Sequence, residues 1–449
     1  MRNSIRCLIG AALAAALLIS GVKDGVAQQR ISLIRDAEIE AIIRAYATPL
    51  FEAAGLTPSD VGIHLVNDSR LNAFVSNGLN LFLNTGLIQR SETPGQLLGV
   101  IAHETGHIAG GHLVRVRDEL ANATVQALLG AALGAAAAIA SGEGGAGAAI
   151  MAGSQEMARR GFLQYSRAQE SAADHAAMRF LDATGQSSRG LANFLEILSD
   201  QELLSTTMQD PYLRTHPITR ERVEAVEAHL AQSRYTDAPL PPEWVEAHAR
   251  MRAKLDGFLS PPAATLARYR ADDDSLPARY ARAIAYYRQA DLKNALPLID
   301  RLIAERPDDP YFVELRGQML FENGRLAEAL PSYQRAVALL PNAPLLRQEL
   351  ARAAIETQDP AWIKQAIVQL NEAVRLDPGS AGTWRLLGIA YGRDGQIGQA
   401  SLALAESAML RGAKREARTQ AERAQRALQP GSPDWLRADD IKRTAEDKS

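Results

Sequence analysis

The sequence predicts a mainly α chain in two parts. An α+β domain with a small antiparallel sheet and a helix carrying H-E-x-x-H comes first, and an all-α tetratricopeptide solenoid follows. Three observations predict this. Alternating apolar residues flank an Asn77-Gly78 turn, which marks a hairpin ahead of the motif helix. Helical apolar spacing dominates most of the remaining chain. From Leu276 onward the pattern repeats with a period near 34 residues, as Pro307 and Pro341 illustrate.

At 449 residues the chain is too long for one compact core. We divide it into an export segment (1–27), the α+β domain (28–258), a linker (259–275), the repeats (276–429) and a polar tail (430–449). Hydrophobic content of 47% and charged content of 22% fit a soluble globular protein. A net charge of −3 with no basic stripe argues against a nucleic-acid partner.

Arg2 and Arg6 precede an apolar run, Cys7 to Ile19, and small residues Gly25 and Ala27 follow it. This is the pattern of a secretory signal cleaved between Ala27 and Gln28, which predicts an exported protein. The run is shorter than the roughly 20 residues that span a bilayer. Cys7 is the only cysteine, so the mature chain has no disulfide and no cysteine-ligated metal.

Residues 31–54 carry helical apolar spacing, Val61–Asn67 reads as a strand, and Asn72–Ile88 reads as the hairpin. Thr93, Pro94 and Gln96 form a helix start with a T-x-x-Q capping box, and this helix is expected to run to about Leu120. The Ala- and Gly-rich stretch Ala121–Gly153 suggests a close-packed helical hairpin with its tip at Ser141–Gly147. Peripheral membrane contact by Ala121–Ala140 is the alternative. A helix over Arg159–Gly185 ends at a C′ glycine. Four repeat units fill 276–412, the third with a three-residue insertion near Gln358–Ile363, and Lys414–Leu428 forms a capping helix.

The chemistry centres on "HETGH". His103 and His107, four residues apart, share one helical face, so both imidazoles can reach a single ion. Glu104 is adjacent and can take a proton from a water in the ion's open position. A third protein ligand is needed. His112 falls one residue short of the position at which H-E-x-x-H-x-x-G-x-x-H takes its third histidine. On a continuous helix it would point elsewhere, so a structural or ligand-supporting role suits it better. Glu170 and Asp174, i and i+4 on one face, fit better: Glu170 as ligand, Asp174 as acceptor of a ligand histidine's N–H. His216, stiffened by Pro217, could stabilise an oxyanion or fill the ion's open position and keep the site latent. Arg220 is an alternative charge donor. His64, His175, His229 and His248 are read as structural.

With H-E-x-x-H and the later E-x-x-x-D assembled, the sequence resembles the gluzincin peptidases that include the CAAX prenyl protease and HtpX. "NAFVSNGLNLFLNTGLI", "HETGH", "YSRAQESAAD" and "RTHP" follow that family's order. The leader and the repeats point to its exported branch, which implies a periplasmic protein that serves outer-membrane protein assembly as protease and chaperone. The resemblance implies one Zn2+ per chain held by His103, His107 and Glu170, with Glu104 as base. It places Asp174 behind a ligand and His216 at a regulatory or transition-state position. It implies unfolded or misassembled outer-membrane proteins as substrates, the assembly machinery as a partner of the repeats, and Leu79–Asn84 as the sheet edge that receives extended substrate. A non-proteolytic adaptor with a silent metal site is the alternative.

Overall fold

The computed structural model describes residues 32–76, 78–112, 115, 124, 144–199, 212 and 216–446. The leader, Asn77 and most of Ala121–Ala140 lie outside them. Among the described residues no helix is long and apolar enough to cross a membrane.

A short strand β1 (Leu33–Ile34) precedes helix α1 (Ala37–Ala53), so the helical reading from residue 31 is corrected at its start. Asp36 caps α1 by accepting from the Ile39 N–H at 2.8 Å. Strands β2 (Gly62–Val66), β3 (Ala73–Ser76) and β4 (Asn80–Asn84) complete a sheet of order β1-β2-β4-β3. The hairpin β3–β4 is antiparallel as expected, but β2 pairs parallel with β4. The sheet is therefore mixed rather than antiparallel, and Leu79–Asn84 supplies an inner strand instead of an edge. Among the described residues the outer edge beyond the hairpin belongs to β3. The chain turns helical at Thr85, so the hairpin ends earlier than Ile88; α2 spans Thr85–Arg90.

Helix α3 (Pro94–Ala109) carries the motif and packs on β3. It starts where expected, but the capping box is altered. Thr93 makes no side-chain cap bond, and Gln96 Oε1 accepts from the Glu92 N–H at 2.6 Å, one residue early. The helix also stops eleven residues short of Leu120. Gly110 caps it and Gly111 turns left-handed at φ 61°, a conformation that costs other residues free energy.

Helix α4 (Gly144–Ala183) is one 40-residue element, so Gly144–Gly147 belongs to a helix and not to a turn. Gly185, at φ 73°, ends it as a C′ residue. A Cβ on Gly106 would lie 2.8 Å from the Ala173 carbonyl, so only glycine lets α3 approach α4 this closely. That contact sets the motif against the Glu170–Asp174 turn. Helices α5 (Arg189–Ser199) and α6 (Arg220–Leu230) close the apolar core, in which Ile43, Phe51, Leu83, Val100, Ile101 and Leu195 are buried together.

Helix α7 (Pro242–Leu259) joins the two parts. Arg250 contacts Glu38 and Asp309, each at 2.6 Å, and Lys254 reaches Asp36 (2.8 Å) and Glu38 (3.1 Å). Tyr280 donates to Glu38 at 2.7 Å. One buried charge network thus ties α1 to the repeats. The linker contains a helix, α8 (Pro262–Arg268).

Four helix pairs follow: α9/α10 (Leu276–Arg288, Leu292–Glu305), α11/α12 (Pro310–Glu322, Leu326–Leu339), α13/α14 (Pro344–Glu356, Pro360–Leu376) and α15/α16 (Ala381–Arg393, Ile397–Leu410). The first helix of every pair has 13 residues. The second has 14 residues except α14, which has 17, so the insertion lengthens one helix by nearly a turn. A fifth pair, α17 (Lys414–Ala427) and α18 (Pro433–Glu446), caps the array. The expected solvated tail is thus mostly helix: Ala438 and Ile441 are buried against α17.

Each pair turns through one left-handed residue: Ala290, Gly324, Gln358 and Gly395. Two of these lack glycine's freedom. Ala290→Gly and Gln358→Gly are each expected to raise the unfolding free energy by roughly 0.5–1 kcal/mol, the relief of strain less the unfolded-state entropy that glycine adds. Urea melts of the full chain would read this.

Candidate metal centre

Helix α3 presents His103 and His107 one turn apart, buried, with Nε2 atoms 3.1 Å from each other. Helix α4 presents Glu170 between them: Oε2 lies 3.4 Å from His103 Nε2, and Oε1 lies 3.3 Å from His107 Nε2. The segment before α6 brings in His216, whose Nδ1 is 3.1 Å from both Glu170 oxygens and 3.4 Å from His103 Nε2. One ligand-type atom from each of these four residues lies within 4.8 Å of the others. Three imidazoles and a carboxylate form a donor set suited to zinc and related divalent ions.

Glu104 sits beside this cluster, fully buried. Among the described residues neither of its carboxylate oxygens has a hydrogen-bond partner, and His216 Nε2, at 3.6 Å, is too far to provide one. A buried carboxylate left unsatisfied costs stability. Its placement makes sense if another group, such as a water beside an ion, completes it. The site therefore fits a metal both by its donors and by this orphaned acceptor.

The supporting residues are also in place. Asp174 Oδ1 is 2.8 Å from His103 Nδ1, which leaves His103 Nε2 free to face the cluster. Burial opposes charge on His103, but its bonds to Asp174 and Glu170 outweigh this and push its pKa up to about 9. Burial lowers that of His107. Burial also works to raise Glu170 and Asp174. The surrounding histidines nevertheless hold Glu170 far below the usual carboxylate range, and Arg222 with His103 brings Asp174 to about 2.

Arg222 is the residue that sequence reasoning missed. Its Nε and Nη2 donate to Asp174 at 2.6 and 2.9 Å, and its Nη1 lies 3.0 Å from Glu170 Oε2. Nη1 also donates to the Pro217 carbonyl at 2.9 Å, anchoring the backbone next to His216. Arg220, considered instead, is solvent-exposed and pairs with Glu224 at 2.6 Å. Position in the first turn of α6 decides between them, and the only sequence signal was a second arginine two residues on. Tyr212, also unforeseen, stacks on His216 at 4.4 Å and accepts the His216 backbone N–H through its carbonyl at 2.7 Å.

His112 is outside the cluster, as expected, but close to it: its Nδ1 is 3.0 Å from His107 Nδ1, and burial pushes its pKa down to about 4. Of the other described histidines, His175 is exposed on α4, and three bond within the fold. His64 bonds to Asn80 at 2.8 Å, His229 pairs with Asp182 at 3.2 Å, and His248 donates to the Ser91 carbonyl at 2.8 Å.

Residues 33–230 match the family model of peptidase family M48, and residues 280–344 match a tetratricopeptide repeat model. A relative from Yersinia pestis named beta-barrel assembly-enhancing protease is 26% identical over 395 residues, covering 86% of this chain and 79% of its own. The Escherichia coli (strain K12) protein of the same name is 24% identical over 372 residues, covering 79% and 72%. Among solved structures, that of MamA aligns with 36% of this chain and 91% of its own at 16% identity and a TM-score of 0.29.

Proposed function

Because this chain joins a peptidase family M48 domain to tetratricopeptide repeats, we propose that it is a zinc-dependent endopeptidase of the periplasm. Its substrates are unfolded or misassembled outer-membrane β-barrel proteins, and the repeats dock them or their assembly machinery. The observation that carries this reading is the meeting of His103, His107 and Glu170 beside the unpartnered carboxylate of Glu104. The names of the relatives support the substrate class, and the leader supports export.

His103, His107 and Glu170 would hold the ion. When bound, such an ion polarises a carbonyl oxygen and lowers the pKa of a neighbouring water. Glu104 accepts that water's proton and returns it to the departing amine nitrogen. Asp174 and Arg222 keep His103 and Glu170 in register while charge develops. An extended substrate pairs with the outer edge of β3, beside α3, through main-chain hydrogen bonds, which gives affinity with little sequence selectivity.

His216 supports a second, latent state. With it, four protein donors converge, as in a closed structural site. This favours a resting form that binds clients through the repeats and cleaves only once His216 withdraws. The test is cleavage of an unfolded outer-membrane β-barrel protein by the purified chain. Chelation should abolish it and zinc should restore it; activity indifferent to chelation would end the metallopeptidase reading. His216→Ala should raise basal cleavage severalfold at unchanged zinc content. A fall instead would assign His216 to transition-state stabilisation.

A further inference from the structure

We infer that His112 is a positioning residue for His107, doing for that ligand what Asp174 does for His103. The inference rests on the reading of His103, His107 and Glu170 as ligands. Its own basis is the way α3 ends. The helix stops at Ala109, and Gly111 takes a left-handed φ of 61°. This turn folds the chain back, so that the buried His112 ring lies against the bare Cα of Gly110. A Cβ on Gly110 would sit 2.4 Å from His112 Nε2 and 2.7 Å from Cδ2. Two adjacent glycines are thus needed to put this imidazole where it is. The Gln169 side-chain amide, one residue before Glu170, reaches the His112 carbonyl at 3.5 Å.

The ring meets His107 edge-on, with centroids 5.0 Å apart and planes at 82°. The two Nδ1 atoms are 3.0 Å apart, so one must donate and the other accept. His107 Nε2 faces the cluster, 3.3 Å from Glu170 Oε1, and a metal there takes its lone pair. A neutral His107 then carries its proton on Nδ1. It donates, and His112 accepts with its own proton on Nε2 above Gly110. The contact sets both tautomers and the angle of the ligand ring, which is how partners behind metal ligands act. The acceptor is uncharged, unlike Asp174. His107 is therefore oriented without adding another negative charge beside Glu104, Glu170 and Asp174.

The test is zinc affinity of the full chain by chelator competition, alongside the melting temperature of the metal-free form. His112→Ala should weaken zinc binding about 10–100-fold. Gly110→Ala, which displaces the ring, should do the same. His112→Asn should recover most of the loss, because its Oδ1 accepts where Nδ1 did. Metal-free melting temperatures of the two His112 variants should stay close together, which a purely structural role would not allow. Wild-type affinity in His112→Ala, or no recovery with Asn, would overturn the inference. If the Ala variant fails to fold, Asn against Gly110→Ala decides by the same criterion. A wild-type chain without zinc would overturn the ligand reading itself.

Discussion

Glu104→Gln is expected to lower proteolysis by roughly 10²–10⁴-fold, the usual contribution of a general base, while leaving zinc content unchanged and the fold as stable or more so. The third part of this expectation makes the test sharp. Glu104 is fully buried and, among the described residues, neither of its oxygens has a hydrogen-bond partner, so in the metal-free form the fold bears the cost of a poorly compensated carboxylate in its core. Glutamine has the same shape without the charge. A residue kept for structure would lose stability on replacement. A residue kept for chemistry, at a cost to the fold, should lose activity and gain stability. None of His103, His107 and Glu170 depends on Glu104 for a hydrogen bond, so the ion should stay. Activity against an unfolded β-barrel protein, metal analysis and a thermal melt on one preparation settle the matter. Retained cleavage would remove Glu104 as the base.

Much of this centre was legible because its parts are local. Four-residue spacing puts His103 and His107 on one face, and the same spacing pairs Glu170 with Asp174. Thr93 and Pro94 mark where α3 begins. The repeats were legible because a period of 34 survives in Pro307 and Pro341; the left-handed residues 290, 324 and 358 keep the same period in the structure. The misreadings share one cause, dependence on contacts distant in sequence. The Asn77-Gly78 turn predicts β3–β4, but nothing local states that β2 inserts parallel to β4 and takes its other edge. The end of α3 was signalled by Gly110-Gly111, and the apolar periodicity beyond it overrode that signal. Helix α18 buries little beyond Ala438 and Ile441, too sparse a stripe to separate a docked helix from a solvated one. Arg222 and Arg220 differ only in which side of α6's first turn faces Asp174.

Glu170→Ala should leave the chain with little zinc and no measurable proteolysis, since removing a ligand costs more than the roughly 10–100-fold that losing an outer partner does. It should also destabilise the metal-free chain by about 3 kcal/mol, the lower end for breaking a buried ion pair, because Arg222 keeps both of its bonds to Asp174. A pH signature accompanies this. In the metal-free form His103 is raised from its ordinary 6.5 to about 9, after burial is outweighed by Asp174 and Glu170. A folded-state pKa above the unfolded one stabilises fully below about pH 6.5, and that contribution fades as pH rises through 9. Without Glu170 one of the two raising partners is gone, so the stability lost between pH 6.5 and 9 should shrink. Urea melts at pH 6, 7.5 and 9 on chelated protein would show it. If Glu170→Ala instead keeps one zinc per chain, His216 must be the third ligand, since it is the remaining member of the cluster. The double variant Glu170→Ala/His216→Ala then loses the ion, and the latch becomes a permanent part of the site.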